Sequence, residues 1–183
     1  DMGFWGGVVP GNASELGPMV ERGILGAKCF LCPSGIDEFP QAREADLLEA
    51  MPVLKAAGVP LLVHAELESE LAEATVTDAR DYRAYLHARP PEWEDRAVAL
   101  IVDVVRRIGC PAHIVHLSSQ GALPILRQAK AEGLPITAET CPHYLCLRAE
   151  EVPDGATTFK CAPPIRGAAN QDALWAALDE ELE

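Results

Sequence analysis

No window of eighteen or more apolar residues occurs in this 183-residue chain, so no segment reads as a helix that crosses a bilayer. There is no G-x-G-x-x-G and no G-x-x-x-x-G-K-[ST], which leaves no nucleotide-binding loop of either kind. Positive charge is scarce: 15 Lys and Arg stand against 28 Asp and Glu, a formal net charge of −13. That balance argues against nucleic acid or an anionic membrane as partner and favours solubility. Low-complexity tracts and domain linkers are missing too. The chain is about one domain long, and an apolar fraction of 49% is ordinary for a globular protein. No signal peptide precedes the strand-like start at Asp1-Met2-Gly3-Phe4-Trp5, and the chain stops within a helical stretch at Glu183. Both ends read as cut, so the expectation is the middle of a longer chain. Of the six cysteines, Cys29, Cys110, Cys141 and Cys161 lie in or beside apolar segments, where free Cys is common. They read as reduced, in a cytoplasmic protein.

What is there is a repeating unit: an amphipathic helix, a Gly, then an apolar strand. Ser14 to Arg22 leads through Gly23 into Ile24–Leu31, and Ala42 to Ala57 through Gly58 into Val59–His64. Glu94 to Ile108 leads through Gly109 into Ala112–His116, and Gln120 to Glu132 through Gly133 into Leu134–Glu139. Gly suits the left-handed residue that follows a helix. With Phe4–Val9 as a first strand, five strands alternate with helices, the pattern of parallel βα units. The fold class is α/β, either a doubly wound open sheet or a (β/α)8 barrel. Ligand-type residues spread over separate strand ends fit the barrel better, here an incomplete one. Leu67 to Arg89 breaks the rhythm and is rich in Glu, Asp and Ala. It reads as a surface helix with a solvated face, with a lid over the site as the alternative.

Lys28, His64 and His116 sit at or near the ends of three successive apolar runs, which in parallel α/β folds open on the functional face. Alone, each His reads as a hydrogen-bonded structural residue. Together they suit a metal, because neutral imidazole is a standard Zn2+ ligand. Lys28 shares a strand face with Gly26 and Phe30, and burial of a Lys lowers its pKa. A neutral amine there can take up CO2 as a carbamate; otherwise the side chain reaches out to pair with a carboxylate. His113 is expected on the opposite face of its strand from His116, packed against helices or exposed. His87 is expected on the surface, and His143 can line the mouth of the site. Cys29-Phe30-Leu31-Cys32 lacks the second half of a zinc ribbon and lies in a strand rather than at a helix start, so neither a zinc nor a redox role is assigned to it. Glu66 and Glu139 read as exposed loop carboxylates or as groups that orient the ligands.

Several segments together resemble the cyclic-amide hydrolases of the amidohydrolase superfamily. They are Val63-His64-Ala65-Glu66, His113-Ile114-Val115-His116-Leu117-Ser118-Ser119, Glu139-Thr140-Cys141-Pro142-His143-Tyr144-Leu145 and Lys160-Cys161-Ala162-Pro163-Pro164-Ile165-Arg166. Within that group, Gly3-Phe4-Trp5-Gly6-Gly7-Val8-Val9-Pro10-Gly11-Asn12 and Ser34-Gly35-Ile36-Asp37-Glu38-Phe39-Pro40 point more narrowly to the allantoinases. The resemblance implies the central part of one (β/α)8 barrel domain over residues 1–183, about strands 3–7. It implies two divalent metal ions, zinc foremost, bridged by a CO2-derived carbamate on Lys28, with His64 and His116 as ligands to one of them. Main chain at Cys161 and Ala162 is implied to contact the substrate, a small cyclic amide such as allantoin; an ordinary Pro-stiffened loop is the alternative there. The first-strand His-x-His and last-strand Asp of the family have no counterpart here, so no catalytic proton shuttle is assigned. The alternatives are a dihydroorotase or hydantoinase activity on the same scaffold, or a barrel relative without catalysis that serves in assembly. The resemblance also implies a homo-oligomer.

Overall fold

The computed structural model describes residues 2–68 and 78–182. Along the chain run β1 (Gly6–Gly7), α1 (Ala13–Glu21), β2 (Ala27–Phe30), α2 (Glu44–Ala57), β3 (Leu61–His64), α3 (Tyr82–Ala88), α4 (Pro91–Ile108) and β4 (Ala112–Ile114). They are followed by α5 (Leu123–Ala131), β5 (Ile136–Ala138), α6 (Pro142–Cys146) and α7 (Ala168–Leu182). All four strand pairings are parallel, and the strands lie side by side in chain order. A doubly wound sheet reverses direction at a switch point; this one never does. Right-handed crossovers in unbroken order put every connecting helix on the same side, which is how a (β/α) barrel is wound. The architecture is therefore an arc of five barrel staves.

Burial follows the same logic. On the helix-covered face, Ala27, Cys29, Leu61, Val63, Ala112 and Ile114 are all buried, packed with Leu47, Met51 and Leu54 of α2 and Val98, Ile101 and Val105 of α4. The register aligns Gly7, Lys28, Leu62, His113 and Thr137 on the other face. Among these, Lys28 and His113 are half-buried and Thr137 is exposed. A hollow of about 720 Å³ opens beside this face near the N-terminal ends of the strands, lined among others by Trp5, Leu62, His113 and Thr137. It is the inner side of the arc and lies below the histidine pair rather than around it.

The helices end where the glycines predict. Gly58 and Gly109 follow α2 and α4 with φ of 70° and 73°, a region costly for residues with a Cβ. The strands are shorter than the apolar runs, since a ladder needs a partner at each position. A second core joins Tyr82 of α3, Tyr144 of α6, Leu174 of α7 and Ile165. Tyr82 is thus buried, so α3 is not the simple solvated surface helix of the first expectation; His87 is exposed as expected. Residues 69–77 of that acidic insert lie outside the described residues. Among the described residues, no helix is long and apolar enough to cross a membrane.

Candidate metal centre

Lys28, His64 and His116 come together. β3 ends on His64, and pairing of Phe30 with His64 puts both on the inner face. The two rings stack with centroids 4.9 Å apart, and Lys28 Nζ lies 4.7 Å from the Phe30 centroid. His116 follows β4 and has φ of +45°, unique among the described non-glycine residues. A left-handed histidine is a strained choice that recurs at functional sites. It aims the ring at His64, with His64 Nδ1 and His116 Nε2 3.1 Å apart.

The same bend corrects one expectation. Strict alternation would place His113 away from His116, against the helices. Because β4 ends at Ile114 and His116 turns, His113 instead shares the inner-face layer of Lys28. There Nδ1 lies 2.7 Å from Thr137 Oγ1, and Nε2 lies 3.4 Å from the exposed Glu139 carboxylate.

Glu66 is not an exposed loop carboxylate. Its side chain is fully buried and takes His64 Nε2 at 2.7 Å. Arg89 Nε donates to its other oxygen, Oε1, at 3.0 Å, and an Arg89 terminal nitrogen donates to Oε2, the oxygen that His64 meets. Burial alone would raise the Glu66 pKa, but the hydrogen bonds from His64 and Arg89 and the Arg89 charge outweigh it and hold the carboxyl at about 2. An ionised Glu66 favours the proton on His64 Nε2 and leaves the Nδ1 lone pair free toward His116, the carboxylate–histidine arrangement usual around metals. His116 is kept neutral: burial, then the electrostatic influence of the neighbouring His64 and of Lys28, bring its pKa down to about 4.

These features test the fit to a metal. Two nitrogens on one tetrahedral ion at about 2.0–2.1 Å stand about 3.3 Å apart, close to the 3.1 Å seen. His116 Nδ1, the ring nitrogen that does not face His64, is buried without a hydrogen-bond partner, so the fit rests on Nε2 and its spacing from His64 Nδ1. The donor chemistry fits. A second grouping overlaps the first: Cys32 Sγ, a His64 ring nitrogen and a Glu66 oxygen lie within 4.8 Å of one another. Burial, and then the Glu66 charge, push the Cys32 thiol up to about 11 against the pull of Arg89. It stays protonated, and Glu66 is already taken by Arg89 and His64. The His64–His116 side is therefore the better cradle. Cys32 and Arg89 were missed as site neighbours, since only the fold brings the Arg89 insert across to Glu66.

The Lys160–Arg166 loop forms an outer layer. Its carbonyls are held by hydroxyls: Tyr85 donates to Cys161 at 2.7 Å, Tyr144 to Pro163 at 2.7 Å, Ser118 to Pro164 at 2.7 Å and Tyr82 to Ile165 at 3.1 Å. Cys161 is half-buried and Ala162 exposed. Among the described residues, no hydrogen bond joins either of them to Lys28, His64 or His116. His143 starts α6 with its ring beside Tyr144, and its Nε2 is buried without a partner. Burial lowers its pKa.

No family model matches the chain. Over 178 residues it is 49% identical to the allantoinase of Streptomyces avermitilis, covering 97% of this chain and 40% of that one. It is 46% identical over 185 residues to the allantoinase of Saccharomyces cerevisiae, covering 98% and 40%. The mitochondrial allantoinase of Aquarana catesbeiana is 47% identical over 178 residues, covering 97% and 37%. Among solved structures, the L-hydantoinase (dihydropyrimidinase) of Arthrobacter aurescens superposes with a TM-score of 0.86 at 27% identity, covering 96% of this chain and 40% of that one. The dihydropyrimidinase of Brevibacillus agri gives 0.85 at 29%, covering 99% and 41%. The chain spans about two fifths of the length of the relatives it matches.

Proposed function

We infer the reaction from kinship joined to this geometry: the chain belongs to the allantoinase family, and the whole protein is proposed to open the hydantoin ring of allantoin to give allantoate, a step of purine breakdown. The observation that carries the reading is the convergence of the His64 and His116 nitrogens, 3.1 Å apart beside Lys28. Lys28, His64 and His116 are the proposed ligands of a two-metal site, with Lys28 carboxylated by CO2 and zinc the first candidate. Metal ions held there would supply a nucleophilic water at neutral pH and a Lewis acid for the ring carbonyl. Glu66 holds the His64 proton on Nε2, so that Nδ1 is free to bind. His116, neutral at pH 7, needs no deprotonation first. The proposed substrate contact is main chain at Cys161 and Ala162, and the Tyr and Ser hydroxyls that occupy the neighbouring carbonyls keep that loop in one shape.

Allantoin is preferred over other cyclic amides because identity to the allantoinases runs from 39 to 49%, against 26–29% for five hydantoinase and dihydropyrimidinase structures with TM-scores of 0.84 or above. The second reading, a hydantoinase-type activity, rests on those structures. Residues 1–183 are proposed as the central part of one barrel domain. Six free cysteines support a reducing compartment, with the cytoplasm proposed. A small molecule is the proposed partner, with neither nucleic acid nor membrane, in keeping with the net charge of −13. A homo-oligomer is proposed from kinship.

The test uses the whole protein: allantoin should be opened, with about two divalent ions bound per chain. Turnover of allantoin no better than that of dihydroorotate would overturn the substrate assignment. Lys28→Ala should abolish turnover, and a small added carboxylic acid should partly restore it by standing in for the carbamate. Full activity of the unrescued variant would remove Lys28 from the site.

A further inference from the structure

Two parts of the site that are far apart in sequence are tied by one buried ion pair. Glu94, on the first turn of α4, and Arg166, at the end of the Lys160–Arg166 loop, are 2% and 7% exposed. Arg166 donates through one terminal nitrogen to Glu94 Oε1 at 2.8 Å. Through the other it donates to the Arg89 carbonyl at 2.7 Å. Glu94 Oε2 accepts the backbone N–H groups of Ser118 and Ser119 at 2.9 and 3.0 Å. Those residues lie two and three positions after His116, so Glu94 anchors the turn that carries the left-handed histidine. Arg89 grips Glu66, and Glu66 receives His64.

The contacts form a closed ring: His116 to His64, to Glu66, to Arg89, to Arg166, to Glu94, to Ser118, and back along two peptide bonds to His116. The ring has a branch, since Ser118 Oγ donates to the Pro164 carbonyl. Arg166 thus touches the supports of both histidines while it ends the loop assigned to the substrate. Neither Glu94 nor Arg166 contacts Lys28, His64 or His116 by hydrogen bond among the described residues. Any buried ion pair needs its remaining lone pairs and protons taken up; here the groups that do so are the Ser118 and Ser119 amides and the Arg89 carbonyl, which belong to the supports of the two histidines. Desolvating two charges is costly, and apolar residues of similar volume often do as well or better.

We propose that Arg166 and Glu94 are positioning residues that set the His64–His116 pair and the Cys161–Ala162 loop together, so that metal retention and substrate affinity depend on the same contact. This rests on the allantoin-opening reading for its substrate half; the metal half stands without it. A guanidinium spans both acceptors at once, whereas an ammonium is a compact single point of charge. Arg166→Lys therefore keeps the charge opposite Glu94 but loses the bridge to the Arg89 carbonyl.

The experiment uses the whole protein, with Arg166→Lys, Arg166→Met and, as control, Tyr85→Phe. Tyr85→Phe frees only the Cys161 carbonyl. Zinc retention against a chelator is read without substrate, and KM and kcat for allantoin are read separately. Both Arg166 variants should release zinc about tenfold faster or bind it about tenfold more weakly, the usual scale for groups that orient ligands, and should raise KM as well. Tyr85→Phe should raise KM with zinc retention unchanged. If Arg166→Lys folds with unaltered zinc retention and only a lower melting temperature, the pair is structural and the proposal fails. If Arg166→Met does not fold, Arg166→Lys decides alone. Inactivity of the unmutated protein on allantoin would count against the proposed reaction, while faster loss of zinc from Arg166→Lys would still uphold the wiring.

Discussion

At the scale of single residues, Glu66 decides how the site is prepared. Its folded pKa of about 2 lies below the ordinary carboxylate range, so ionised Glu66 stabilises the fold. The sign follows from linkage: a carboxyl with a depressed pKa contributes fully above its unfolded pKa and loses that contribution as pH falls toward the folded one. The window here runs from about pH 5 down to about pH 2, and the contribution is on the order of 3 kcal/mol. Whole protein carrying Glu66→Gln should therefore show a flatter acid limb in urea midpoint against pH, with less stability than wild type at pH 7. Parallel limbs for both proteins would show that Glu66 is not the titrating support. His116 provides a second residue-scale prediction. Its φ of +45° costs about 1–2 kcal/mol for a side-chain-bearing residue. His116→Gly should thus lose metal binding while melting no lower than His116→Ala, measured side by side by metal analysis and calorimetry. A glycine variant clearly less stable than the alanine variant would contradict the strain.

At the scale of elements, the helices are built for one face. α4 buries Trp93, Ala97, Val98, Ile101, Val104 and Val105 over five turns, and Ile101 is fully enclosed in the main core. Ile101→Ala should cost about 2–5 kcal/mol, read as a lower denaturant midpoint at unchanged slope. Gly58 closes α2 at φ of 70° with nothing within 4 Å of where a Cβ would stand. Gly58→Ala should therefore cost only the left-handed penalty of about 1 kcal/mol. A loss as large as that of Ile101→Ala would mean that an unseen contact limits that turn.

At the scale of the whole molecule, the arc has an inner face with no covering layer among the described residues. Lys28, His113 and Thr137 share a register layer there, above a hollow of about 720 Å³. Barrel interiors are filled by side chains from all their strands. The chain spans about two fifths of its relatives, and the further metal ligands that the family resemblance implies, a His-x-His and an Asp, have no counterpart in it. The 183-residue chain by itself should accordingly show no allantoin turnover, whereas the chain extended at both ends should. Measurable turnover by the isolated chain, with metal added, would overturn the two-metal reading of the site.

The alternation of helix, glycine and apolar strand was legible in the chain because each feature is local: a 3.6-residue stripe, a left-handed residue, a run of apolar side chains. Lys28, His64 and His116 were legible for the same reason, since the end of a parallel strand marks the functional face before any contact is known. The partners were not. Glu66 looked like a loop carboxylate until Arg89, 23 residues later, closed on it; Glu94 and Arg166 are 72 residues apart and meet only because α4 and the last loop pack on the same turn. His113 went to the wrong face because alternation holds only while the strand lasts, and the left-handed turn at His116 ends it. The sequence by itself determined which elements form and where the metal-type donors sit, because those follow from short-range periodicity. Only the tertiary structure decided which charges pair, which imidazole nitrogen stays free and which face is left open, because these depend on burial and on contacts between residues that the chain keeps far apart.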